Sequence, residues 1–82
     1  MWYVYILRTQ AGSLYTGVTN NPARRLKAHQ EGRGGRFTRG FGARELVYSV
    51  AVPSRSAALK REAEIKKWRR EKKLALIAGE IV

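Results

Sequence analysis

The chain opens on a run of aromatic and β-branched positions, Trp2-Tyr3-Val4-Tyr5-Ile6-Leu7. Such residues suit a pleated, packed surface, so the run predicts a strand. Thr9 to Ser13, with Gly12, has turn chemistry, and Leu14-Tyr15-Thr16-Gly17-Val18 predicts a second strand. Together they make a hairpin. A turn centred near Gln10 sets Tyr5 opposite Tyr15, whereas a slip of one residue sends them to opposite faces. Asn20-Asn21-Pro22 then predicts a helix start. Asn21 suits the N-cap, and Pro22 suits the first helical position, where a missing N–H costs nothing. This helix runs to about Gln30 and stops at Gly32. Leu26 marks its core side, with Arg25 and His29 one turn apart on the flank.

From Gly32 to Arg44 the hydrophobic pattern lapses into a loop with five glycines, four arginines and two phenylalanines. Glu45 to Val52 predicts a third strand, ended by Pro53-Ser54. Ser54 or Ser56 caps a helix over residues 55–72, which breaks near Glu71 before a final turn at 74–78. The order strand, strand, helix, strand, helix predicts an α+β domain, a small and mainly antiparallel sheet packed by helices.

Eighty-two residues suffice for one domain across 1–82 and no second core. Charge changes the picture most. Seventeen Lys and Arg stand against six Asp and Glu, a net +11. A compact domain so charged repels itself unless it meets a polyanion, and phosphate backbones are the commonest. A solubility surplus or a ribosome-associated role is the plainer reading. The absence of cysteine excludes disulfides, zinc–thiolate clusters and thiol nucleophiles. The apolar N-terminus lacks a basic flank and is too short for a signal sequence or a membrane span, so a soluble, cytoplasmic protein is expected.

Among the carboxylates Glu62 stands out. At 100° per residue it falls between Leu59 and the pair Ala58 and Ile65, inside the apolar arc of its helix. A carboxylate there needs an ion pair, with Arg61 or Arg25, or a metal. No paired-carboxylate motif accompanies it, so a divalent ion would take most of its ligands from water and substrate, as magnesium does. Tyr3, Tyr5 and Tyr15 cluster within thirteen residues. Packing explains any one of them. Two phenols on one sheet face can also relay a proton from an attacking water, and a nearby arginine favours the phenolate. Arg25 is either one solvated arginine among many or a planar fork for a phosphate. His29 can pack, orient a nucleophile or protonate a leaving group. Arg24, Arg33, Arg36, Arg39 and Lys66 are candidate phosphate contacts, and Phe37 and Phe41 either stack on bases or turn inward. Trp68 is expected at the core edge rather than on a base.

These residues, in this order, resemble the GIY-YIG nuclease family. Its first motif corresponds to Tyr3-Val4-Tyr5, and its second to Tyr15-Thr16-Gly17 running through Arg25 to His29. Lys60-Arg61-Glu62 is similar to the family's metal-binding glutamate helix, and the likeness covers about residues 2–76. This chain has Tyr3 where the family name has glycine, and no asparagine after Asn21. The resemblance implies a three-stranded antiparallel sheet flanked by helices. It also implies an endonuclease in which Tyr5 and Tyr15 position or activate water, Arg25 stabilises charge and Glu62 holds one Mg2+ or Mn2+ ion, with His29 near the site. DNA, branched or damaged, is the expected partner in preference to RNA, and the chain is expected to be a monomer or weak homodimer. A module of the same fold that holds nucleic acid without cutting it is the alternative.

Overall fold

The structure is a computed structural model and describes residues 1–30 and 43–82, apart from the side chains of residues 29, 30, 43 and 44. Its elements are β1 (Trp2–Thr9), β2 (Leu14–Thr19), α1 (Pro22–Gln30), β3 (Ala43–Val52), α2 (Arg55–Lys66) and α3 (Arg70–Ile77). The sheet has the order β2-β1-β3 with both pairs antiparallel. The expected α+β domain, a small three-stranded antiparallel sheet flanked by helices, is therefore what forms.

β1 lies in the middle, which explains its unbroken apolar run. Val4 and Ile6 are fully buried with Ala58, Ile65 and Leu76 on one side of the sheet. Tyr5 and Leu7 are buried on the other, against Tyr15, Leu26 and Leu46. α2 and α3 thus cover one face and α1 the other. Each aliphatic side chain so buried contributes about 1.5–3 kcal/mol of transfer free energy.

The hairpin register differs from expectation. Tyr5 pairs with Gly17, and Tyr15 with Leu7. The turn centres on Ala11, one residue later than expected, and so moves the register by two. Two features hold it there. Gly12 adopts φ +85°, a backbone conformation that favours glycine. The buried Thr9 hydroxyl accepts the Ser13 N–H at 3.1 Å. Because strands alternate with period two, a shift of two keeps both phenols on one face.

The second half also departs from its expected outline. Ser54 is the cap of α2, accepting the Ala57 N–H at 3.1 Å. The helix breaks at 67–69 rather than near Glu71. That bend lets Leu76 reach the core while half-buried Trp68 closes its edge. Arg61 and Lys72 lie over the Trp68 ring, 5.0 and 4.3 Å from its centroid. Arg70 donates to the Gly12 carbonyl at 2.8 Å and ties α3 to the hairpin turn.

Candidate active site

Tyr5 sits on the central strand with 1% of its surface exposed. Its ring lies over Gly17, where a Cβ would stand 2.5 Å from the phenol oxygen and 2.7 Å from Cζ. A glycine in a strand often marks such an approach. Tyr15, diagonal to Tyr5 on the same face, has its ring centroid 6.3 Å away at a tilt of 42°.

Arg25 reaches this pair from α1, whose start is fixed locally. The Thr19 hydroxyl accepts the Asn21 N–H, and Asn21 Oδ1 accepts the Arg24 N–H, each at 3.1 Å. Leu26 then anchors the helix against Tyr5 and Leu7. So oriented, Arg25 donates from Nε to the Tyr5 oxygen at 3.4 Å. Its hydrogen bonds with Tyr5 and then Tyr15 push the guanidinium further up, against the opposing effect of its own burial. It is cationic at every working pH.

Burial pushes the Tyr5 phenol above its usual value. The hydrogen bond and charge of Arg25 pull it down, while the proximity of Tyr15 and Glu62 pushes it up further. The balance is upward, so desolvation outweighs the arginine. Arg25 favours the phenolate, as expected, but burial prevails and Tyr5 is a neutral phenol near neutrality.

Glu62 comes from α2, on the other side of the sheet, yet its field reaches Tyr5. Its side chain is 19% exposed and pairs with Lys66 one turn on, at 3.3 Å. Arg61 pairs with Glu64 instead. The helical wheel suggested Arg61 or Arg25 as the ion-pair partner of Glu62; among the described residues Lys66 takes that place. Lys66, a candidate phosphate contact, is thus engaged by Glu62. Among the described residues no three His, Cys, Asp or Glu side chains gather into a metal cluster.

Beside Arg25 opens a cleft of about 800 Å3, walled by Thr19, Asn20, Asn21, Arg24 and Lys27. Arg24 and Lys27 are exposed. Sequence reading singled out Arg24 but not Thr19, Asn20 or Lys27. Their signal is tertiary, since the cleft exists only once β2 turns into α1. His29 lies within α1, but its side chain is outside the described residues, as are Arg33, Arg36, Phe37, Arg39 and Phe41.

Two phenols and a guanidinium thus meet on one sheet face, and the charge of Glu62 acts on Tyr5 from α2. The profile of the GIY-YIG catalytic domain matches residues 1–75. The chain belongs to the GIY-YIG family. This match to the family's catalytic domain implies nuclease chemistry. A UPF0213 protein of Cronobacter sakazakii is 42% identical over 98% of this chain and 84% of its own length. A second, from Yersinia enterocolitica, is 41% identical over 98% and 82%. The solution NMR structure of the UPF0213 protein BH0048 from Bacillus halodurans shares 44% identity and a TM-score of 0.60. It is matched over 95% of this chain and 84% of that one. Among the described residues, no helix is long and apolar enough to cross a membrane.

Proposed function

We propose that this GIY-YIG domain is a divalent-metal-dependent endonuclease that hydrolyses phosphodiester bonds in DNA, at branched or damaged structures. The observation that carries this reading is the Arg25–Tyr5 hydrogen bond beside Tyr15. It presents a fixed cation next to two phenols on one sheet face.

In this reading the Arg25 Nε is engaged by Tyr5, and its Nη groups bind the scissile phosphate. There they offset the negative charge that grows in the transition state. Tyr5, being neutral, acts as a relay rather than a preformed base. Its oxygen accepts a proton from the attacking water while its own proton passes on to solvent, directly or through Tyr15, which gives up its own proton in turn. The water oxygen bonds to phosphorus as the bond to the leaving sugar oxygen breaks. His29, one turn along α1 from Arg25, supplies that oxygen's proton.

Glu62 is the residue that would hold one Mg2+ or Mn2+ ion. A single partly exposed carboxylate fits magnesium, which retains several waters and shares its shell with phosphate oxygens. Once bound, the ion supplies charge screening and orientation at the phosphate. Arg24, Arg33, Arg36 and Arg39 add phosphate contacts. One site on so small a domain nicks one strand, so a monomer or weak homodimer suffices. The lack of a membrane-length helix among the described residues and the freedom from cysteine support a soluble, cytoplasmic setting.

The test is incubation with labelled single-strand, duplex, flap and junction DNAs, and matched RNAs, with magnesium or EDTA. Magnesium-dependent cutting of DNA, lost in Glu62→Ala and Arg25→Ala, is expected. Cutting that Glu62→Ala leaves unchanged sinks the site assignment. Binding to every substrate with no cutting makes the domain a binding module.

A further inference from the structure

Apart from Arg25, the cleft between the end of β2 and α1 has no part in the bond-breaking step above. Arg25 forms part of its wall, and Arg24 and Lys27 extend from it on the same helix. Among the described residues none of these three cations forms an ion pair with a carboxylate. The backbone does not explain the concentration of charge. Thr19 and Asn21 already take up the Asn21 and Arg24 N–H groups, leaving anion recognition there to side chains.

The sheet register gives the cleft a position relative to the reacting centre. Tyr5 pairs with Gly17, and the next same-face pair along the strands is Tyr3 with Thr19. Two residues of strand advance about 7 Å. That step matches the separation of neighbouring phosphates along a nucleic-acid backbone. Thr19 lines the cleft, so a chain whose scissile phosphate rests at Arg25 over Tyr5 delivers its next phosphate to the cleft mouth. The cleft's volume of about 800 Å3 has room for the attached sugar as well.

We propose that this cleft is a subsite for the phosphate and sugar adjacent to the scissile bond, with Arg24 and Lys27 binding that second phosphate. The ligand class is a backbone carrying two neighbouring phosphates. The inference rests on the nuclease reading for its register, but its ligand is testable without cleavage. Exposed cations each contribute modestly in water, and two converging on one phosphate contribute about ten-fold in affinity.

Thymidine 3′,5′-bisphosphate and thymidine 5′-monophosphate are titrated into the full chain in EDTA, reading affinity by calorimetry and location by amide NMR shifts. The bisphosphate should bind about ten-fold tighter than the monophosphate. Its shifts should centre on Thr19 to Ala28. The double variant Arg24→Gln/Lys27→Gln should erase the gain while keeping the wild-type spectrum elsewhere, since both side chains are exposed. Equal affinity for the two nucleotides in the wild type overturns the subsite. So does a gain that survives in the double variant, or shifts confined to α2 and α3. Cleavage is scored separately on the DNA panel. A chain that cuts without the bisphosphate gain has the proposed activity and lacks this subsite. One that shows the gain and never cuts keeps the subsite and loses the proposed activity.

Discussion

Gly17 lies directly across the strand pair from Tyr5, and any Cβ there would stand 2.5 Å from the phenol oxygen. The glycine is thus part of how the phenol is aimed. Gly17→Ala must push the ring aside, and the ring is buried, so the strain falls on the sheet. We expect a stability loss of about 1–3 kcal/mol by chemical denaturation. Cleavage should fall about 10²-fold, since misplacement by an ångström is costly in a preorganised site. If the effect runs through the phenol, Gly17→Ala adds little to the loss already caused by Tyr5→Phe. Full additivity of the two losses refutes that coupling.

Tyr5 also predicts a pH dependence. Its folded value lies above the ordinary tyrosine value of ~10 because burial disfavours the phenolate. Between those two values the folded chain holds a proton that the unfolded chain has released. The associated stability is complete below pH ~10 and is lost as pH rises through the folded value. Absorbance titration should show a phenol ionising above the ordinary tyrosine value, and Tyr5→Phe should remove that phase. The same variant should cost only about 1 kcal/mol at neutral pH, the worth of one hydrogen bond.

Arg25→Lys separates charge from shape. Lysine retains the cation but cannot both donate to Tyr5 from one edge and present a planar fork to a phosphate. We expect kcat to fall by about 10²-fold or more with a small change in nucleic-acid affinity. A variant that lowers affinity alone would assign Arg25 to ground-state binding.

Glu62→Gln removes the carboxylate with little change in size. Its pair with Lys66 is an i,i+4 pair with a half-exposed lysine, worth about 0.3–0.5 kcal/mol. Thermal stability should therefore barely move, while magnesium-dependent cleavage falls at least about 10²-fold. The salt dependence of DNA binding should persist, because the basic side chains that set it are untouched. Retained cleavage at ordinary magnesium concentrations removes Glu62 from the metal site.

Local chemistry made the elements legible in the chain itself. Strand residues, the Asn-Pro helix start and the Ser54 cap act over a few positions, so they read directly. The ordered motifs carried the family, and the apolar arc around Glu62 marked it as unusual on its helix. The register was less legible because hairpin pairing depends on where one turn closes, and Gly12 with Thr9 decided that. Tyr5 and Tyr15 stayed together because the displacement was two.

What the sequence by itself determined, then, is a basic α+β domain with phenols, guanidinium and carboxylate in a nuclease order. What only the tertiary structure decided is how they interact. The Lys66 pair sets the surroundings of Glu62, and the helix break at 67–69 brings Leu76 to the core. The cleft beside Arg25 exists only where β2 and α1 meet. The bare surface of Gly17 gives Tyr5 its place, and burial keeps that phenol protonated against Arg25. These are properties of residues distant in the chain that share one desolvated space, and local pattern does not encode desolvation.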